Sequence, residues 1–259
     1  ASPRPAARVH AMHGDGSIFS GLLRGYRFLA CEDAATVARA LEVRRRVYRD
    51  ACGYRVPVPD VYDRRSWLLL AEDAGSGEPV GSMRVTPRWA GRLETEESFV
   101  LPADVLSPRL VEVTRFAVLP RHRDSKRFLP AVALGLLKLG MHFVRFVGAD
   151  RVVVCSRLDR AQTYTWLCFR PTGLVGAYRP LDGAEHAVLT CDLRGGLAPH
   201  RDHRYWAFFV AIAHPEIVLP ARVPPLGIVD PAPRGPRLVA THSAVNAGCP
   251  VPGSRNVRS

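Results

Sequence analysis

The stretch that most constrains the fold is Val111-Glu112-Val113-Thr114-Arg115-Phe116-Ala117-Val118, which Leu119-Pro120 ends. Apolar residues alternate with polar ones, as in a β-strand that turns one face to a core. Glu112 and Arg115 are three residues apart, so a regular strand would point them to opposite faces unless a bulge re-aims one of them. The pattern predicts a central, bulged strand that carries a carboxylate beside a basic loop, and this is the first place to look for chemistry.

Length and charge set the next limits. The chain of 259 residues suffices for one large domain, or for one domain with appendages. Its net charge of +12 favours an acidic partner, such as nucleic acid, anionic lipid, a nucleotide-type cofactor or an acidic protein. The alternative is that arginine simply replaces lysine throughout, because lysine occurs only at Lys126 and Lys138.

Cysteine spacing and hydropathy predict a cytoplasmic protein. The six cysteines form no C-x-x-C pair, so neither a zinc knuckle nor a redox motif is indicated. Cys155 and Cys191 end apolar runs and are expected to be buried free thiols, which suggests a reducing compartment. The first residues have no apolar segment typical of a signal peptide. The longest apolar run, 129–144, contains Pro130, Lys138 and His142 and is too short and polar to span a bilayer.

Periodicity and breaker residues predict a mixed α/β domain over residues 26–195. A loose arm (1–25) precedes it, and a Pro-rich extension (196–259) with a helix near 200–213 follows. The predicted strands are 26–30, 66–71, 79–87, 111–118, 151–156, 174–178 and 186–193, and the predicted helices are 34–49, 129–147 and 161–169.

Several familiar catalytic and metal motifs are excluded. Asp60 and Asp63 alone make a poor metal site, because hard cations take six or more oxygen ligands. His200 and His203 have no third ligand, so no metal site is predicted. The two His-Arg-Asp triplets lack the asparagine of a kinase catalytic loop. The sequence has no G-x-S-x-G, H-E-x-x-H or Walker motif.

What remains is an ordered series of charged and aromatic residues. It comprises Arg44, Tyr48, Tyr54, Asp60, Asp63, Arg84, Phe99, Glu112 and Arg115. In order and spacing this series resembles the acyl-homoserine-lactone synthases (autoinducer synthases) and related N-acyl amino acid synthases, a branch of the GNAT acyltransferases. Gly81-Ser82-Met83-Arg84 and the strand from Glu112 to Val118 carry the resemblance most clearly, and it covers about residues 40–195. Tyr48 and Tyr54 depart from it, since the family usually has Phe and Trp there.

The resemblance implies a fold and a reaction. The implied fold is a GNAT-like three-layer α/β (α+β) sandwich, whose mixed central sheet opens into a V-shaped cleft between helices. The implied enzyme moves an acyl group from the phosphopantetheine thioester of an acyl carrier protein, or from acyl-CoA, to the amino group of S-adenosylmethionine. The product would be an acyl-homoserine lactone for quorum sensing. An N-acyl amino acid synthase, or a diverged S-adenosylmethionine-using enzyme, is the alternative. No tightly bound cofactor or metal is implied.

The resemblance also implies roles for single residues. Glu112 would be the general base, and the backbone N–H groups of Phe116 and Ala117 would hold the thioester oxygen. The acceptor would be bound by Arg44, Tyr48, Tyr54, Asp60, Asp63, Arg84, Phe99 and Arg115. The phosphopantetheine and the acidic carrier protein would be bound by Arg121, Arg123, Lys126, Arg127 and Ser156. As an alternative, five charged residues form a purely structural network: Asp60, Asp63, Arg84, Glu112 and Arg115.

A basic nucleic-acid-binding module is the remaining alternative. The sequence has no helix-turn-helix, RNP or zinc signature, and its aromatic residues are not interleaved with the basic clusters. A membrane span is not predicted.

Overall fold

Eight strands form one mixed sheet in a computed structural model that describes residues 21–123, 130–165, 167–181, 183–194, 201 and 206–228. The strand order is β6-β7-β5-β4-β3-β2-β1-β8. The strands are β1 Tyr26–Ala30, β2 Trp67–Asp73, β3 Pro79–Pro87, β4 Leu110–Val118, β5 Arg151–Arg157, β6 Arg170–Tyr178, β7 Ala184–Asp192 and β8 Ile217–Val218. The predicted mixed α/β class is confirmed.

Two helices cover opposite faces of this sheet. Strand β2 alternates between them: Leu68 and Leu70 pack with α1 (Ala34–Arg45), whereas Leu69 belongs to the main core with α2 (Ala131–Phe146). Asp33 begins α1 with a capping box to Thr36. The result is a three-layer arrangement.

Helix boundaries differ from the prediction at three places. Helix α1 ends at Arg45 and continues as a π-helical turn, Arg46–Ala51, so the predicted single helix to residue 49 is wrong. A third helix, α3 (Leu158–Thr165), follows β5 directly. It begins three residues before the predicted 161–169 helix and ends four residues before the predicted end. In the predicted 200–213 helix, the described part is a π-helical turn, Ala207–Ala211.

The centre of the sheet opens into a cleft. Strands β4 and β5 run parallel and pair only at Leu110↔Arg151, Val111↔Val152 and Glu112↔Val153. Beyond these pairs β4 continues to Val118 and β5 to Arg157 without further pairing. The predicted splayed cleft is confirmed.

The predicted bulge in β4 is confirmed as well. Arg84 pairs with Thr114 and Ser82 with Ala117, so two residues of β4 face one of β3. Arg115 takes up the extra length with φ 55°, in the left-handed region. A residue with a Cβ adopts this conformation at a cost of about 1–2 kcal/mol, so the contacts of its side chain must hold it there.

The described part of the C-terminal extension packs on the domain. Strand β8 pairs with β1 at the sheet edge. The Trp67 indole N–H donates to the Pro224 carbonyl oxygen (2.8 Å), and Lys138 Nζ donates to the Ile212 carbonyl oxygen (2.6 Å). No helix of the described residues is long and apolar enough to cross a lipid bilayer. The predicted arm lies outside the described residues as far as residue 20.

Candidate active site

A buried network joins most of the charged residues that the sequence singled out. Arg44 donates to both oxygens of Asp63 (2.8 and 2.9 Å), and Arg84 donates to Asp60 (2.6 Å). The Asp60 carboxylate also accepts a hydrogen bond from the backbone N–H of Tyr62 in the same turn, which fixes the loop. Burial alone would raise the pKa of Asp63, but the two guanidinium groups outweigh it and hold this pKa below its usual range.

Glu94 completes the network and was missed by the sequence analysis. Its carboxylate accepts hydrogen bonds from both Arg84 and Arg115, and it is 1% exposed. Arg115 Nε also lies 3.1 Å from an oxygen of Asp60, an ion pair without hydrogen-bond geometry. The side chain of Arg115 is thus held from two sides, which stabilises its left-handed backbone in the bulge.

Glu112 does not face the cleft, contrary to expectation. Its side chain is fully buried and lines neither cavity described below. One carboxylate oxygen accepts from the backbone N–H of Glu94 (2.9 Å), and the other accepts from the N–H and hydroxyl of Thr95 (2.8 and 2.5 Å). Glu112 therefore anchors the turn that carries Glu94. The role of general base that the resemblance implies for it stays a prediction.

Titration of Glu112 gives a testable pH dependence. Burial, together with the nearby Glu94 carboxylate, raises the pKa of Glu112 to about 7 from 4.5. The folded protein therefore keeps a proton that the unfolded chain has already lost, and this group's contribution falls as pH rises through that window. We therefore compare the free energies of unfolding of wild type and Glu112→Gln. The value for wild type minus that for the variant should fall by on the order of 3 kcal/mol as the pH rises from 4.5 to 7.

Urea denaturation of both proteins across this pH range measures that difference. Asp33→Asn is a suitable control, because Asp33 is an exposed helix cap whose pKa is lowered, chiefly by the hydrogen bond from the Thr36 N–H. Because the pKa of Asp33 is lowered from 3.8, its contribution changes only below about pH 4, and the difference for the Asp33 variant should stay nearly constant between pH 4.5 and 7. A difference for Glu112→Gln that stays constant would show that Glu112 has the same pKa in the folded and unfolded states.

A cavity of about 410 Å³ occupies the cleft. Its apolar walls belong to the main core on the α2 side of the sheet. These walls include Met83, Val113, Ala133, Leu137 and Leu167. Many of its other lining residues are polar or aromatic. They include Tyr48, Tyr54, Glu94, Arg115, Arg157, Tyr178 and His186. The cavity therefore passes through the gap between β4 and β5, apolar at one end and charged at the other.

A second cavity, of about 300 Å³, adjoins the first. Glu94 and Arg115 line both cavities. The smaller cavity also carries Asp60, Arg64 and Glu97, so it presents both signs of charge to an occupant. Two small molecules bound in these cavities would meet at the Glu94–Arg115 ion pair.

Backbone donors in the gap follow from strand alternation. The Leu119 N–H donates to the Val80 carbonyl oxygen on the β3 side, so the N–H of Ala117 also points toward β3. By the same alternation, the N–H groups of Phe116 and Val118 point into the gap. The Val118 carbonyl also points there, since Arg123 Nε donates to it (2.6 Å). Phe116, and not Ala117, therefore offers its N–H to an occupant of the gap.

The other predicted site residues divide into four groups. Tyr48, Tyr54, Arg123 and Ser156 line the larger cavity, and their roles in binding stay predictions. Arg44, Asp63 and Arg84 are fully buried behind the cavity walls, and Phe99 packs beside Leu174 away from both cavities. Arg121 lies on the surface and pairs with Glu78. Lys126 and Arg127 lie outside the described residues, as do His200 and His203.

The sequence analysis also missed His186 and Tyr178. His186 lies within an alternating strand pattern and Tyr178 at the end of another, which predict only packing. Glu94 sits in the irregular segment before β4, where the cluster Glu94, Glu96 and Glu97 was the only available signal. In the described part of the chain, no three His, Cys, Asp or Glu side chains are placed to hold a metal ion.

Several solved structures share this architecture, and synthases of acyl-homoserine lactones and of N-acyl amino acids are among them. A ternary complex of TofI with an inhibitor and MTA aligns at TM-score 0.51 and 19% identity, covering 64% of this chain and 91% of TofI. FeeM, an N-acyl amino acid synthase from uncultured soil microbes, aligns at TM-score 0.52 and 16% identity, covering 65% of this chain and 92% of FeeM. The CoA-dependent acyl-homoserine lactone synthase BjaI, with SAM and isopentyl-CoA, aligns at TM-score 0.52 and 18% identity. The alignment covers 79% of this chain and 97% of BjaI. At these identities the likeness shows the fold alone, a mixed α/β sandwich with a central cleft.

A family model gives the narrower assignment. The model for the N-acyl amino acid synthase FeeM matches residues 39–192, more than half of the chain. The chain belongs to this family, as the ordered series of charged residues predicted. No characterised protein sequence matches the chain at a significant level.

Proposed function

We propose that the protein transfers an acyl group from a phosphopantetheine thioester to the α-amino group of a free amino acid. The observation that carries this proposal is the pair of adjoining cavities that share Glu94 and Arg115. The larger one, with its apolar end, suits a thioester with an acyl chain. The smaller one, with charges of both signs, suits a zwitterion.

The dimensions of the smaller cavity favour a compact acceptor. Its volume of about 300 Å³ is at the lower end of the range for small-molecule sites. Asp60 and Glu94 would attract the ammonium group of an amino acid, and Arg64 would attract its carboxylate. The family match to an N-acyl amino acid synthase supports the same acceptor class.

S-Adenosylmethionine is the second candidate acceptor. The complexes of BjaI with SAM and of TofI with MTA show that such ligands occupy related folds. In this chain the carboxylates of Asp60, Glu94 and Glu97 would face the sulfonium. In that case methylthioadenosine would be released with the lactone.

The donor enters the larger cavity with its acyl chain toward α2. The Phe116 N–H in the gap would hold the thioester oxygen as negative charge develops there. Arg123 and Arg160 line the same cavity and would meet the phosphate of phosphopantetheine. Either coenzyme A or an acidic acyl carrier protein would supply that phosphate, and the net charge of +12 suits both.

In this proposal Glu112 is a positioning residue. Its three hydrogen bonds fix the turn of residues 94–95, and this turn presents Glu94 to both cavities. Asp63 and Arg44 similarly stand behind Asp60 and Arg84. The buried network thus sets the geometry of the acceptor site from outside it.

A product assay tests the proposal. The purified full chain is incubated with acyl-CoA or acyl carrier protein thioesters of several lengths, together with either a mixture of amino acids or S-adenosylmethionine. Mass spectrometry should detect an N-acyl amino acid and free thiol in the first arm. Methylthioadenosine with an acyl-homoserine lactone in the second arm alone would select the second candidate, and no product in either arm would overturn acyl transfer.

Enlarging Ala133 should shorten the accepted acyl chain. Ala133 lies on α2 and is a wall of the apolar end of the larger cavity. Ala133→Leu fills part of that space, and each methylene of fit changes discrimination by roughly 10–200-fold. We expect kcat/KM for the longest accepted chain to fall at least about 10-fold, with shorter chains little affected.

A competition assay with mixed chain lengths measures this preference directly. Ala149→Leu is the control, since Ala149 is also buried but does not line the cavity. An equal loss for all chain lengths in the Ala133 variant would place the acyl chain elsewhere.

A further inference from the structure

His186 combines three features that its strand pattern does not explain. It lies on β7 opposite Arg157 of β5, in the part of the sheet where β5 has lost its other neighbour. Its side chain is 2% exposed, and it lines the larger cavity. The centroids of its ring and of the Tyr178 ring lie 4.7 Å apart, so Tyr178 packs against one side of the imidazole.

The tautomer of His186 is set by the backbone. Nδ1 lies 2.7 Å from the Ala184 carbonyl oxygen, which only accepts, so Nδ1 carries the proton. In the neutral ring Nε2 is then an unprotonated acceptor. Among the described residues Nε2 has no hydrogen-bond partner. Because His186 lines the cavity, an occupant with an N–H or O–H group would find an acceptor here.

The surroundings keep His186 neutral at pH 7. Burial lowers its pKa below the ordinary 6.5, the hydrogen bond to Ala184 opposes this, and Arg157 lowers it further. The charged groups that face it among the described residues are Arg157 of β5 and Asp159 of α3, and Tyr178 of β6 is neutral because burial raises its pKa. The imidazole is therefore a free base under the conditions of the reaction.

We propose that His186 is the proton shuttle of the acyl transfer, taking the proton of the attacking amine on Nε2 and returning it to the leaving sulfur. This role rests on the proposed function. It also supplies a base that touches the cavity, which the buried and fully bonded Glu112 does not. A base whose pKa lies near or below neutrality passes a proton to a thiolate readily.

The step balances without another reactant. The bound ammonium first releases one proton to solvent. The neutral amine nitrogen then attacks the thioester carbon and forms the C–N bond, while the carbonyl electron pair moves to the oxygen near the Phe116 N–H. The nitrogen proton passes to Nε2 of His186. The tetrahedral intermediate then collapses, the C–S bond breaks with its electron pair on sulfur, and the imidazolium returns the proton to sulfur. The products are the amide and the free thiol.

His186→Asn separates catalysis from structure. An asparagine amide can keep the hydrogen bond of Nδ1 to Ala184 while removing Nε2. We expect kcat to fall about 10²-fold or more, with the KM for the thioester changed by less than about threefold. In wild type, kcat/KM should fall on the acid side below the ordinary histidine pKa, and the variant should lack this limb. The full chain is assayed with the best substrate pair of the product assay.

A matched control and a rescue complete the test. His142 also bonds a backbone carbonyl, through Nε2 to Phe209 (2.9 Å), and its pKa is lowered mainly by burial, but it does not line the cavity. His142→Gln should retain wild-type kcat. For His186→Ala, added imidazole should restore turnover in proportion to its free-base fraction, which a purely structural role would not allow.

The outcomes are distinguishable. Wild-type turnover with an unchanged kcat and an unchanged acid limb in His186→Asn would overturn the shuttle and leave the proposed function standing. If His186→Asn fails to fold, the imidazole rescue of His186→Ala and the residual rate of His186→Gln decide the same question. No N-acyl product from wild type would overturn the proposed function, and the shuttle with it.

Discussion

Replacing Arg84 with methionine is expected to lower the free energy of unfolding by about 3–5 kcal/mol. Arg84 is fully buried and donates to Asp60 and Glu94, and its pKa is raised well above the ordinary value because these carboxylates outweigh burial. Its loss leaves two buried carboxylates short of a partner, which costs far more than a lost surface pair. Urea denaturation at pH 7 measures the change.

Arg88→Met is the matched control for this expectation. Arg88 pairs with Glu96 (3.1 Å), but its side chain is 38% exposed, and such pairs contribute about 0–1 kcal/mol. An equal loss in the free energy of unfolding for the two variants would show that the buried ion pairs of Arg84 contribute no more than the exposed pair of Arg88. Lowering the pH should reduce the Arg84→Met penalty, because protonation discharges the carboxylates that the variant leaves unpaired.

Removing the backbone N–H of Phe116 is expected to lower kcat by about 10²–10³-fold. Incorporation of phenyllactic acid at position 116 replaces this N–H with an ester oxygen and leaves the side chain unchanged. The N–H points into the gap between β4 and β5, where the thioester oxygen would acquire negative charge. Single-turnover kinetics with the acyl thioester measure the effect on the chemical step.

The same exchange at Leu119 is the control. The Leu119 N–H donates to the Val80 carbonyl oxygen at 2.9 Å, within the sheet. Its removal should lower the stability by about 1 kcal/mol with little effect on kcat. If the ester variant at position 116 keeps the parent rate, the Phe116 N–H does not stabilise the oxyanion in this reaction.

Local patterns predicted the central strand and its bulge. Alternation over residues 111–118 placed β4, and the three-residue spacing of Glu112 and Arg115 required a bulge if both were to act together. The structure has that bulge at Arg115. Helix ends were less predictable, because the continuation of α1 into a π-helical turn depends on tertiary packing and not on a cap residue.

Which carboxylate reaches the cavities was not predictable from order and spacing. Glu112 carries the family resemblance, yet its oxygens are occupied by backbone donors of residues 94 and 95. Glu94 lies in an irregular segment whose path depends on that same contact, 18 residues away. A sequence shows which residues have acidic side chains, but it does not show which backbone donors a long-range contact brings to them.

By itself, the sequence determined the α/β class, the bulged central strand, the acyltransferase family and most members of the charged network. These properties depend on alternation, residue type and order, which are local. Only the tertiary structure decided that Glu112 lies behind the cleft, that Glu94 joins two cavities, and that His186 faces the larger one. Those facts depend on how β4 and β5 separate and on how an irregular loop returns to the sheet, and both result from packing between distant segments.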